Sequence, residues 1–139
     1  MLYCLKRICE PCKEHVDNNF NPVSKEDVTE FLPIREELCQ LMERTKNSIL
    51  ANNYTEADDI LKKGDELKNK ISALRKQQMN RMQEADNRSL KAAMVYLNIL
   101  QETQELVSVW RHLLRASRFF QGDYVPQEIP QMGIMDSKA

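Results

Sequence analysis

Glycine is scarce in this chain, and its three glycines, Gly64, Gly122 and Gly133, lie far apart. A loop that cradles phosphate needs several glycines within a few residues, so the sequence contains no such loop. Long apolar runs are missing as well. No stretch reaches the length of about 18 apolar residues that a transmembrane helix requires, and we therefore expect no segment to span a bilayer.

An excess of charge of one sign is also absent. The chain has 20 Lys and Arg against 21 Asp and Glu, which gives a formal net charge of -1. No overall basic excess attracts nucleic acid, so no nucleic-acid partner is expected. The first residues, MLYCLKRICE, lack the apolar core of a secretion signal. Four cysteines without such a signal predict reduced thiols in a cytoplasmic setting.

The residues that are present favour a single all-helical domain. Apolar residues make up 42% of the 139 residues and charged residues 29%, which is a globular balance, and no strand periodicity is visible. Residues 2–17 place apolar side chains at helical spacing, and Pro11 predicts a late start, a kink or a division into two pieces. Ser24 is a candidate N-cap for a second helix that extends to about Asn52. The inner face of the first helix is expected to contain Leu5, Ile8, Cys9, Cys12 and Val16.

Two longer helices are predicted after a turn near residue 54. The third helix carries a seam at alternating spacings of three and four, which is typical of helix packing. The fourth extends from about Leu90 to Phe120, and ADNRSL is the expected break before it. The predicted fold is an elongated up-and-down bundle of three long helices plus a shorter N-terminal one, in residues 1–120, followed by an irregular tail in residues 121–139. The seam consists of Ala57, Ile60, Gly64, Leu67, Ile71, Leu74 and Gln78.

No catalytic constellation is visible in the sequence. The strongest chemical candidate is the segment CEPCKEH, in which Cys9, Cys12 and His15 could hold a metal ion or form a redox pair. A structural zinc usually needs two ligand pairs, however, and only one pair is present. Because free cysteine also packs as a small apolar side chain, packing is the favoured interpretation. We therefore expect neither an enzyme nor a bound cofactor or metal.

Two groups of residues on the fourth helix are candidates for an interaction surface. Residues 90–100 are apolar on every side, so we expect a homodimer or another partner to cover part of them. Arg111, Arg115 and Arg118 place cations near the end of the same helix. They either complement the helix dipole or contact an acidic partner or an anionic membrane surface. The apolar candidates are Met94, Tyr96 and Leu97.

Two segments give the chain a resemblance to a known family. EHVDNNF at residues 14–20 and LNILQETQELVSVWRHLLRASRFF at residues 97–120 resemble PhoU-like helical domains, in particular the domain fused to the C-terminus of some bacterial inorganic phosphate transporters. The resemblance implies a helical bundle at the inner face of the bacterial inner membrane, with a regulatory role toward the transporter's membrane domain. The acidic-x-x-x-Asp motif by which many PhoU proteins bind metal clusters does not occur in this sequence.

The sequence therefore supports two functional hypotheses. The first is a non-enzymatic cytoplasmic module that regulates an inorganic phosphate transporter by helix–helix contact. The alternative is a stand-alone structural or signalling helical bundle that forms oligomers and has no connection with transport.

Overall fold

The chain folds as an up-and-down helical bundle. The computed structural model describes residues 1–84 and 87–122, in which four helices and no strand are present. This confirms the predicted fold class. The expected tail lies outside the described residues from position 123 onward, and residues 121–122 belong to the last helix. The helices are α1 (Leu2–Asp17), α2 (Lys25–Leu50), α3 (Ala57–Glu84) and α4 (Asn87–Gly122).

The longest helix, α4, is the centre of the bundle. It packs against α1, α2 and α3, and α2 also packs against α3. Within the described ranges the backbone of α1 comes close to that of α4 alone, since none of its Cα atoms lies within 8 Å of α2 or α3. The predicted seam of α3 is confirmed, with Leu74 half-buried and its other members buried. The largest fully buried apolar side chains are Trp110, Tyr96, Ile60, Leu67, Ile71, Leu100, Leu114 and Val107.

Both prolines that could have interrupted a helix lie inside one. Ser24 caps α2 as predicted, since its hydroxyl accepts a hydrogen bond from the backbone N–H of Asp27, and Pro33 is within that helix. Pro11 cannot donate to the carbonyl oxygen of Arg7, four residues earlier. The side-chain amide of Asn98 on α4 donates to that oxygen instead, at 3.4 Å. A contact from the neighbouring helix therefore satisfies the group that proline leaves unpaired.

Several ion pairs join the helices, and three of them involve partly or fully buried groups. Arg81 of α3 binds the carboxylates of Asp27 and Glu30 on α2. The guanidinium of Arg111 on α4 binds both carboxylate oxygens of Asp65 at 2.7 Å. Gly64 provides the space for this side chain: a Cβ at that position would lie 2.9 Å from Cδ of Arg111. The third pair joins α1 to α4, where Arg7 lies 2.5 Å from the buried carboxylate of Glu102.

The buried face of α1 differs from the predicted one. Cys4 and His15 are buried, and the predicted members Ile8 and Cys12 are half-buried, whereas Leu5, Cys9 and Val16 are exposed. The prediction counted apolar spacing only, and polar contacts decide the orientation of this helix. The salt bridge of Arg7 with Glu102 holds a different face against α4. His15 Nε2–H donates a hydrogen bond to the carbonyl oxygen of Asn21 in the loop that follows α1 (2.5 Å).

Candidate functional site

An open apolar groove lies along α2 and α4, and Met1, the residue before α1, forms its edge on the α1 side. We call it the α1/α2 groove. Its floor is formed by Trp110 and Leu113 of α4, and its volume is about 560 Å³. A larger depression, between α2 and α3, is lined mainly by charged and amide side chains such as Glu36, Arg44 and Glu66. The other residues of the α1/α2 groove are Met1, Cys39, Met42, Glu43, Thr45, Lys46, Ile49 and Leu50.

The groove exists because α1 and α2 are both anchored to α4 but not to each other. α1 is antiparallel to α4, with Arg7 beside Asn98 and Glu102, and Met1 near Trp110. α2 starts beside Ala93 and ends beside Leu113. The two helices therefore lie side by side across α4 without filling the space between them. The gap leaves apolar side chains of α4 and α2 accessible.

A second apolar surface lies on α1. Glu14 lines a shallow depression together with Met94, on the flank of α1 that faces away from α2. Each helical residue advances by about 100°, so Leu5, Cys9 and Val16 lie on the opposite flank, which faces the groove. All three are exposed, and the side chain of Val16 is 72% exposed. This flank of α1 is therefore an exposed apolar surface in addition to the groove.

The polar groups at the groove already have partners. The hydroxyl of Thr45 donates to the carbonyl oxygen of Leu41 at 2.8 Å. Lys46 and Glu43 form an ion pair of 2.6 Å on the α2 side. The accessible part of the groove therefore offers mainly apolar contact area, which suits an apolar segment better than a charged small molecule.

The residues proposed for metal binding do not form a site. His15 is buried, and its ring is bound to the carbonyl oxygen of Asn21. Cys9 is exposed and Cys12 is half-buried. Burial, and then the neighbouring Cys9, raise the pKa of the Cys12 thiol, which disfavours the thiolate that a metal would need. In the part of the chain that the structure describes, no three His, Cys, Asp or Glu side chains gather so that they could hold a metal ion.

The proposed interaction residues on α4 do not share one surface. Met94 is exposed and Leu97 is half-buried. Tyr96 is only 2% exposed and packs edge-on against Phe31, inside the bundle. Its burial raises the pKa of its hydroxyl to about 12. Tyr96, one of the residues expected at an interaction surface, is therefore covered by α2 within the chain.

The three arginines of α4 also separate. Arg111 is buried and bound to Asp65, and Arg118 binds Asp58 at 2.7 Å. Both are thus bound to α3, and only Arg115 is fully exposed. The sequence spacing placed them on one side correctly, but α3 lies on that side.

The buried charges at the other end of the bundle have a structural role. Burial raises the pKa of Asp27, although the hydrogen bond from the Ser24 cap and the nearby Arg81 act in the opposite direction. The guanidinium of Arg81 donates to Asp27 and to Glu30 and thereby ties α3 to α2. These carboxylates pair with a cation of the neighbouring helix, so the cluster holds α2 and α3 together.

The sequence contained part of the signal for the groove. Met42, Ile49, Trp110 and Leu113 are large apolar residues, and that character is visible in the sequence. What spacing could not show is that α1 does not cover these residues, since that depends on the separation of two helices.

None of the described helices contains an apolar stretch long enough to cross a bilayer. Comparisons of the chain with protein-family models, with curated proteins and with solved structures give no match.

Proposed function

We propose that this chain is a non-enzymatic regulatory module of an inorganic phosphate transporter. It acts by helix–helix contact, and the observation that carries the proposal is the open α1/α2 groove. The groove is lined by apolar side chains of α2 and α4 and is left uncovered by α1. Grooves of this kind bind the apolar face of a partner helix.

The dimensions of the groove favour a helix as the occupant. Its α2 wall extends from Cys39 to Leu50, which at 1.5 Å per residue is about 17 Å, or three helical turns. A partner helix of that length presents three or four apolar anchors at spacings of three and four. The rim carries both signs of charge, in Glu43 and Lys46, so it imposes no strong preference for an acidic or a basic partner.

The resemblance of residues 14–20 and 97–120 to PhoU-like domains supports a phosphate transporter as the partner. A helix at the cytoplasmic side of its membrane domain would insert into the α1/α2 groove. The module would then bias the transporter through the free energy of this contact, since a ligand shifts an equilibrium only by its differential affinity for the two states. Homodimerisation remains an accompanying proposal.

Site-specific photo-cross-linking in living cells tests this function. A photoreactive phenylalanine analogue at Leu113, on the groove floor, is compared with the same analogue at Met79 of α3, which has similar exposure. We expect the Leu113 chain, and not the Met79 chain, to form an adduct that mass spectrometry identifies as a phosphate transporter. Phosphate uptake should also change with Leu113→Glu and not with Met79→Glu.

Three results would count against the proposal. An equal transporter adduct from both positions would show non-specific proximity. Failure of the Leu113 chain to form the adduct, with unchanged uptake, would refute regulation through the groove. An adduct of two copies of this chain alone would favour the stand-alone oligomer.

A further inference from the structure

The large apolar side chains that are most exposed lie mainly at one end of the bundle. Five of the six most exposed ones among the described residues gather where α1 begins and where α2 and α4 end, and we call this surface the apolar end. The sixth, Val16, and the less exposed Met79 and Met94 lie toward the other end. Leu2 is 84% exposed and Phe120 is 75% exposed, values that are unusual for side chains of this size. The apolar end consists of Leu2, Tyr3, Leu50, Phe119 and Phe120.

Contacts among the helix ends place these residues together. Met1, Leu50 and Leu113 line the same groove, which brings the start of α1 to the end of α2 and the last turns of α4. The ion pair of Arg118 with Asp58 holds those last turns beside the start of α3. Four helix ends therefore meet at one extremity of the bundle.

The opposite extremity is organised differently. There the ring of Phe20 lies against His15, and the ammonium of Lys91 lies 3.8 Å from the centroid of the Phe20 ring. Asp27 and Arg81 form their ion pair at the same level of the bundle. The aromatic and charged groups at that end have partners within the chain, whereas the rings of Phe119 and Phe120 mainly contact each other, at 5.8 Å.

Cations accompany the apolar end. Arg115 and Arg118 line a shallow surface with Phe119 and Phe120. The nearby acidic groups each have a cation: Asp58 pairs with Arg118, Glu56 with Arg44, and Asp59 with Arg44 and Lys63. Arg115 has no ion pair within the described residues. Exposed apolar side chains beside an arginine without an ion pair suit a binding surface whose interior is apolar and whose outer layer carries negative charge.

We propose that the apolar end docks on the surface of a bilayer that contains anionic phospholipid. Its apolar side chains project from the tips of separate helices and do not enclose a pocket, so they can enter the boundary between headgroups and acyl chains. Tyr3 with its phenol and Arg115 with its guanidinium belong to the side-chain types that prefer this boundary. The bundle lies on the membrane without crossing it. The inference goes beyond the proposed function, because docking on lipid requires no transporter.

Flotation of the full-length chain with lipid vesicles tests the proposal. The vesicles contain phosphatidylcholine either alone or mixed with phosphatidylglycerol. We expect binding to the mixed vesicles, and Leu2→Glu and Phe120→Glu should each lower it about tenfold or more, since each removes one large apolar side chain from the lipid. Val16→Glu is the matched control. Val16 is 72% exposed on the same helix as Leu2, but it lies about 21 Å away along the helix axis.

Val16→Glu should therefore bind as wild type does, and circular dichroism should show unchanged helix content for all three variants. The proposal is overturned if wild type ignores the mixed vesicles, if it binds both vesicle types equally, or if Val16→Glu loses as much binding as Leu2→Glu. No transporter is present in this experiment. Binding without any effect of the groove variants on phosphate uptake would thus refute the proposed function and leave the membrane contact standing.

Discussion

Glu102 is the most deeply buried acidic residue among those described, and its partner comes from the far end of the sequence. Its side chain is 2% exposed, while that of Arg7 is 44% exposed. Removal of one partner from a buried pair leaves an uncompensated charge, whereas replacement of both partners by apolar side chains is often tolerated. The attachment of α1 to α4 therefore depends strongly on Arg7, the partner of the buried Glu102.

Arg7→Met should lower the free energy of unfolding by about 2 kcal/mol, less than for a fully buried pair, because solvent screens the exposed guanidinium. The double variant Arg7→Met/Glu102→Leu should regain most of this loss. Urea denaturation at neutral pH measures both. Lys6→Met is the control, since Lys6 pairs at 3.4 Å with the exposed Glu10, and its loss should cost less than about 1 kcal/mol. Equal effects of Arg7→Met and Lys6→Met would refute the importance of the buried pair.

Asp27 provides a pH-dependent prediction at the same scale. Because burial raises its pKa in the folded chain, the native state holds the proton more tightly than the unfolded state. The contribution of this group to stability is then fully present below its unfolded pKa of about 3.9 and is lost as pH rises through its folded pKa. The free energy of unfolding of Asp27→Asn, relative to wild type, should increase between acid and neutral pH.

Asp59 offers the opposite sign as a control. The hydrogen bond from Arg44 lowers the pKa of its carboxyl, so its contribution is present above the unfolded pKa and is lost as pH falls through the folded one. Asp59→Asn should lose stability relative to wild type as pH rises. Thermal unfolding between acid and neutral pH measures both differences, and slopes of the same sign would contradict the assignment.

At the scale of the element, the four cysteines report the orientation of α1. Cys9 and Cys39 are exposed, Cys12 is half-buried and Cys4 is buried. Iodoacetamide should therefore modify Cys9 and Cys39 first. Cys12 should follow more slowly, because its raised pKa reduces the thiolate fraction. Cys4 should react only when α1 leaves α4.

Mass spectrometry of proteolytic peptides gives the rate at each thiol in one experiment. Denatured protein supplies the reference, in which all four thiols are accessible. If Cys4 reacted quickly and Cys9 slowly in the folded chain, the buried face of α1 would be the one that apolar spacing predicts.

The helices themselves were predictable where one face alone is apolar. In α3 the residues from Ala57 to Gln78 form a single seam with charges opposite it, so spacing identified the buried face. In α1 two apolar faces overlap, one with Cys4 and one with Leu5, and spacing cannot choose between them. The choice depends on Arg7 and Glu102, whose pairing requires the positions of two helices distant in sequence.

The same reason limits the prediction of the site. The apolar character of Met42 and Leu113 was visible in the sequence, but their accessibility depends on how far α1 lies from α2. Arg111 and Arg118 could be assigned to one side of α4, yet their carboxylate partners on α3 could not be foreseen. The residue types were thus predictable from the sequence. Which side chains a neighbouring helix covers was not predictable, because that depends on how the helices pack together.

For the whole molecule, the attachment of α1 to α4 alone has a consequence for synthesis on the ribosome. The first helix is made first, but its docking surface is made last: Arg7 and its partner Asn98 are 91 residues apart. At about 5 to 20 residues per second, α1 waits several seconds before α4 is complete. During that interval α2 and α3 can already form their hairpin, and the apolar side chains of α1 are open to chaperones or to a nearby bilayer. The order of the helices in the chain therefore makes α1 the last to join the native structure and the first that another surface can capture.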